Sequence, residues 1–150
     1  MRATLQPGLT FQFQLQIPLE KTVPYLYPES QLFQEMPPVL ATGFLVGLVE
    51  WACIEALRPH LDWPREQSLG THVNLSHGAA TPPGLTVTVH GTLERVEGRR
   101  LAFSVRADDG IDLITEGTHE RMVVDVERFT ARMADKAQHA RVQWPGDDPS

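Results

Sequence analysis

The sequence predicts an α+β fold in which a curved antiparallel sheet wraps around one long buried helix. Three observations carry that prediction. The first is the run VLATGFLVGLVEWACIEAL, Val39 to Leu57, which only Thr42, Glu50 and Glu55 interrupt with polar side chains. A segment apolar on all sides is a buried helix rather than a surface one. The second is the alternation of Phe11, Phe13, Leu15 and Ile17 with Gln12, Gln14 and Gln16, the period of two of a half-buried strand. The third is the order of elements: one strand, the helix, then four strand-like segments joined mostly by hairpin signals, which makes the sheet antiparallel.

Taken in order, the first strand is followed by Lys21 to Pro38, which holds four prolines and several aromatics and reads as an irregular, partly apolar covering segment. The helix is expected from Val39 to Arg58, ended by Pro59 and Pro64, since proline supplies no N–H to continue it. In the next strand Leu69, Thr71, Val73, Leu75 and His77 share one face, with Gly70, His72, Asn74 and Ser76 on the other. After the turn ATPPG come Leu85, Val87, Val89, Gly91 and Leu93; Glu97-Gly98-Arg99 turns into Leu101 to Ala107, and Asp108-Asp109-Gly110 into a last strand from Leu113 to Val126. A short amphipathic helix is expected after it. Residues 1–137 are expected to form one domain and 138–150 a disordered tail. One hydrophobic helix against one curved sheet is the hot-dog fold. A helix apolar on its far side needs a second cover, and in a chain of 150 residues that cover is expected to be a second copy, a homodimer.

Composition narrows the function classes. A hydrophobic fraction of 41% and a charged fraction of 21% are those of a soluble globular protein. The net charge of −6 argues against nucleic acid or an anionic membrane as the main partner. The single cysteine, Cys53, permits no internal disulfide; together with a start lacking a signal-peptide core, it leads us to expect a cytoplasmic protein. A membrane span would need about 20 apolar residues, and the Val39 run meets Glu50 first.

Glu50 is the first candidate functional residue, because a carboxylate inside an apolar helix costs several kcal/mol unless it is partnered. At 100° per residue Gly43, Gly47, Glu50 and Ile54 fall on one stripe. The two glycines imply either close helix–sheet packing or a slot through which a thin ligand reaches Glu50. His77 shares parity with Val73 and Leu75 and so points toward the helix; it is either a satisfied core histidine or, with Glu50, half of an acid/base pair. Thr42 is either an N-terminal cap or a hydroxyl that attacks or holds a carbonyl. It stands about 12 Å from Glu50 along the helix axis, too far for contact unless a substrate bridges them. Arg121 reads as a solvated charge, and Gly70 as a possible bulge. There is no G-x-S-x-G elbow, phosphate loop, H-E-x-x-H or paired C-x-x-C. The six histidines lack metal-ligand spacing, and neither a metal nor a redox cofactor is expected.

The stretches KTVPYLYPES (Lys21 to Ser30), ATGFLVGLVEWAC (Ala41 to Cys53), SLGT (Ser68 to Thr71), HGAATPPGLTVTV (His77 to Val89), VEGRRL (Val96 to Leu101) and GTHERMVV (Gly117 to Val124) closely resemble the fluoroacetyl-CoA thioesterase family of hot-dog hydrolases. The resemblance runs from about residue 8 to about 135. It implies a homodimer that hydrolyses short acyl-CoA thioesters without a metal, coenzyme A being part of the substrate. It implies catalytic roles for Thr42, Glu50 and His77, and places Gly70 and Arg121 near the acyl α-substituent. An apolar lid maps onto Val23, Leu26, Phe33 and Met36. Met36 departs from the pattern, where a second lid phenylalanine belongs, and the loop from Leu61 to Gln67 is a residue longer. Hydrolysis is thus the safer implication than fluorine selectivity. The alternatives left open are a hot-dog hydratase or dehydratase and a non-catalytic acyl-CoA binding module, which fold alone does not separate.

Overall fold

The computed structural model describes residues 1–147. Five strands, β1 (Thr10–Gln16), β2 (Glu66–Leu75), β3 (Thr86–Glu97), β4 (Arg100–Asp108) and β5 (Leu113–Asp125), form one sheet in the order β1-β3-β4-β5-β2, every neighbouring pair antiparallel. Between β1 and β2 the chain passes through a one-turn helix α1 (Gln31–Gln34) and the long helix α2 (Thr42–Leu57), which packs on the sheet. This is the hot-dog architecture. The two hairpins turn where expected, with Gly98 and Gly110 at φ of 61° and 86°, a region that residues with a Cβ enter only at a cost.

Helix α2 begins three residues later than its apolar run. Val39 and Leu40 are spent on extended pairing instead: Val39 O accepts from Val23 N, and Leu40 N donates to Thr81 O at 2.8 Å. At its other end the chain tightens into a 3-10 turn, Arg58–His60, that contains Pro59. Leu45, Leu48, Val49, Ala52, Cys53 and Leu57 of α2 are buried against Val87, Val89, Leu93, Phe103, Val105 and Ile114 of the sheet. Each such leucine contributes about 1.5–3 kcal/mol of apolar burial, so this face anchors the helix. Burial on all sides is not met within one chain, because a single sheet covers one side. Trp51 is 44% exposed, and Gly43 and Gly47 are exposed to solvent.

The expected amphipathic helix is α3 (Val126–Ala140), started by the Asp125 side chain, which accepts from Arg128 N at 3.1 Å. It runs past Gln138, where the tail was expected to begin, since Ala137 is buried and its carbonyl accepts from Val142 N. The end of that tail, residues 148–150, lies outside the described residues. Among the described residues no helix is long and apolar enough to cross a membrane.

Candidate active site

Strand β2 carries the decisive irregularity. Gly70 pairs with Arg121, but the next pair is His72 with Glu120, so Thr71 is an extra residue, a β-bulge. One added residue reverses the alternation. Beyond the bulge Val73 pairs with the fully buried His119, on the helix side as expected. Before the bulge the expected faces are exchanged. Ser68 is buried and Gly70 faces Glu50, whereas Leu69 points out and is 39% exposed. A Cβ at position 70 would collide with Glu50 Oε1, so glycine is there for space.

Two clusters result. In the first, Thr42 and His77 meet, with Thr42 Oγ1 2.8 Å from His77 Nδ1. Thr42 is not the N-cap; Ala41 occupies that position and Thr42 is the first helical residue, with its hydroxyl free for the imidazole. His77 lies just beyond β2, fixed by its neighbour Gly78, whose N–H donates to Ile114 O at 2.9 Å. Burial lowers the His77 pKa below the ordinary histidine value, with partial opposition from the Ala79 backbone. That backbone favours the protonated ring, yet Nε2 has no partner of normal hydrogen-bond geometry. A neutral imidazole against a hydroxyl is an arrangement able to accept that hydroxyl's proton.

In the second cluster Glu50 Oε1 accepts from Arg121 Nη1 at 3.2 Å. The reading of Arg121 as a solvated charge is overturned: its side chain is 2% exposed. It is held by Ser68 Oγ at Nε (2.8 Å), by Ser68 O at Nη2 (2.7 Å) and by His119 Nε2 at Nη1 (3.1 Å). A buried guanidinium needs such partners, because an unpaired one would cost several kcal/mol. Glu50 is less buried than its helix suggested, with 39% of its side chain exposed. The structure therefore joins Glu50 to Arg121, and His77 to Thr42; the expected Glu50–His77 pairing has no hydrogen bond. Cys53 lies beneath the second cluster. Burial, with a smaller contribution from Glu50 and against the opposing effect of Arg121, pushes its thiol up to about 12, so it is not a nucleophile at neutral pH.

The glycine stripe divides: Gly43 packs against Leu26 of the covering segment rather than the sheet, and Gly47 opens onto a cavity whose lining does not include Glu50. A Cβ at Gly43 would stand 3.2 Å from the Leu26 methyl groups, which is close packing. A Cβ at Gly47 would meet nothing within 4 Å, and Gly47 lines a cavity of about 240 Å³ with Leu15, Ile17, Phe44 and Trp51. Of the other lid candidates, Val23 and Phe33 are half-buried, the Phe33 ring lying 5.5 Å from that of Tyr27. Met36 is 50% exposed. Sequence reasoning missed Ser68 and His119. The signal for His119 was present in β5, where His119, Arg121 and Val123 alternate onto one face. Ser68 was hidden by the bulge. No group of three or more potential metal-binding side chains is found among the described residues.

The arrangement has counterparts among known proteins. Residues 27–127 match the model of the FlK family, described as fluoroacetyl-CoA-specific thioesterase. The chain is 52% identical over 136 residues to a fluoroacetyl-CoA thioesterase of Streptantibioticus cattleyicolor, an alignment covering 91% of this chain and 97% of that one. It superposes with a TM-score of 0.85 and 52% identity on a solved fluoroacetyl-CoA thioesterase, a threonine-to-alanine variant in complex with fluoroacetate, covering 88% of this chain and 98% of that one. A phenylalanine-to-alanine variant in complex with fluoroacetate and CoA gives a TM-score of 0.80 at 54% identity, covering 83% and 99%. The chain belongs to the fluoroacetyl-CoA-specific thioesterase family of hot-dog proteins.

Proposed function

We propose that the protein is an acyl-CoA thioesterase, converting a short-chain acyl-CoA and water into the free acid and coenzyme A, with α-fluorinated acyl groups among its substrates. The observation that carries the reading is the 2.8 Å Thr42–His77 contact two turns from the Arg121-held Glu50. A hydroxyl on a neutral imidazole suits acyl transfer, whereas hydration of a carbon–carbon double bond has no need of it. The 52% identity with a fluoroacetyl-CoA thioesterase over most of both chains supports the same reaction class. His77 is the general base. Thr42 either attacks the thioester carbonyl or holds it, and Glu50 either attacks or orients the attacking water. Val23, Leu26, Phe33 and Met36 cover the acyl group, while Gly70 and Arg121 face its α-carbon. The reaction needs no metal or organic cofactor in this scheme.

The working unit is a homodimer in the cytoplasm. Support for the dimer comes from β2, a ten-residue edge strand with Leu69 and Val73 39% and 41% exposed, and from Trp51 of α2, still 44% exposed although its ring packs on Phe13. Long edge strands with apolar side chains seek a partner. Light scattering at micromolar concentration is expected to give about twice the 16.8 kDa chain mass; the single-chain mass refutes the dimer. For the reaction, purified protein is mixed with short acyl-CoAs and the free thiol is followed. No release from any of them refutes the thioesterase reading. Mass spectrometry of the protein during turnover of a slow substrate distinguishes an acyl group on Thr42, on Glu50, or on neither.

A further inference from the structure

The buried imidazole of His119 has no place in that mechanism, yet it is fully buried beside it. Its Nδ1 lies 2.8 Å from the His72 carbonyl oxygen. A carbonyl only accepts, so Nδ1 carries the proton and a neutral ring presents its Nε2 lone pair on the other side. That lone pair faces Arg121 Nη1 at 3.1 Å, and a guanidinium only donates. The two contacts together admit one tautomer. Burial acts in the same direction, lowering the His119 pKa, with the His72 carbonyl opposing and Arg121 adding to the effect.

The Arg121 fork is thereby held at three points: Ser68 Oγ, Ser68 O and His119 Nε2. Nη1 has two protons. With one committed to His119, the other lies on the side of Glu50 Oε1. The His72 carbonyl belongs to the first paired residue after the bulge, so the same irregularity that turns Gly70 toward Glu50 supplies the acceptor that sets the His119 tautomer. We propose that His119 is a positioning residue, locked as the Nδ1–H tautomer, which aims Arg121 at Glu50 and through it sets the geometry of the thioesterase site. This inference rests on the thioesterase reading for its kinetic consequence, though not for its spectroscopic one.

The test uses the full-length protein in three forms. In the parent, ¹⁵N spectra of the histidine side chains at neutral pH are expected to show His119 neutral, with a proton on Nδ1 and a bare Nε2. A proton on Nε2, or on both nitrogens, overturns the proposal. Both replacements carry an amide donor and an amide acceptor: His119→Asn reaches only the depth of Nδ1, so its carbonyl falls short of Arg121, whereas His119→Gln, one methylene longer, reaches the depth of Nε2. The Arg121 Nη resonances are expected to be separate and slowly exchanging in the parent and to merge in the asparagine variant. Its kcat should fall about tenfold, the equivalent of one lost hydrogen bond to a charged group, with KM within about twofold. The glutamine variant should recover separate Nη resonances and most of kcat. Unchanged Nη resonances in the asparagine variant, or equal losses in both variants, reduce His119 to a packing residue. If either variant fails to fold, the tautomer measured in the parent still decides. A parent with no thioesterase activity removes the functional reading, whereas the tautomer and Arg121 spectra judge the positioning role separately.

Discussion

Replacing Gly70 by alanine tests the coupling of bulge, carboxylate and guanidinium with one methyl group. The added Cβ would overlap Glu50 Oε1 and lie 3.3 Å from His119 Cε1. The His119 ring is fully buried and hydrogen bonded at both nitrogens, so it cannot retreat. The Glu50 carboxylate is the far end of a flexible side chain and 39% exposed, so it is Glu50 that moves, off Arg121 and toward solvent. The fold should survive, because Gly70 is not among the glycines with positive φ and alanine fits a strand. A hydrogen bond to a charged group contributes about 1.5–3 kcal/mol, and a partly exposed ion pair belongs at the low end of that range. A loss of about 1.4 kcal/mol is tenfold in rate. Gly70→Ala is therefore expected to lose about tenfold in kcat/KM, read by thiol release from a short acyl-CoA, with its thermal midpoint within a few degrees of the parent. A kcat/KM within twofold of the parent, in a folded variant, would refute the claim that Glu50 must sit on Arg121 to work.

His77→Ala should lower kcat by about 10²–10⁴-fold with the circular-dichroism spectrum unchanged; near-parent turnover removes His77 from the mechanism. Because burial depresses the His77 pKa, the base stays deprotonated to lower pH, and the acid limb of the rate profile should fall below the ordinary histidine value of about 6.5. An acid limb above that value contradicts the environment described. Met36→Phe should sharpen discrimination between fluoroacetyl-CoA and acetyl-CoA, by an amount in the range of about 1–3 kcal/mol available to one pocket contact; an unchanged kcat/KM ratio means position 36 is not the gate. Asp109 offers a stability test. Burial raises its carboxyl pKa, but hydrogen bonds from Asp112 N–H, the Thr81 hydroxyl and Ile111 N–H outweigh it, and the net shift is downward. A depressed folded-state pKa stabilises above the unfolded value of about 3.9 and is lost as pH falls through the folded value. Asp109→Asn should therefore be less stable than the parent in urea at pH 7, with the gap closing below pH 4; a pH-independent gap refutes the linkage.

The local elements of this protein were legible in its sequence because local physics makes them. The alternation in β1, β3 and β4, the glycines at the two hairpins and the apolar run of α2 each depend on residues a few positions apart. The resemblance of six stretches carried the family and its candidate residues. What those residues do to one another was decided in three dimensions. Gly70 hinted at a bulge, but the extra residue is its neighbour Thr71, and only the pairing with β5 shows that it turns Gly70 and Ser68 inward and Leu69 outward. Arg121 looked like a surface charge because its partners, Ser68 and Glu50, stand 53 and 71 positions away. His77 and Glu50 looked like partners because each points into the same space. The sheet register instead delivered Arg121 and His119 to Glu50, and the turn after β2 delivered His77 to Thr42. Hydrogen bonds are made over about 3 Å, and only the register of strands distant in sequence determines which groups come that close.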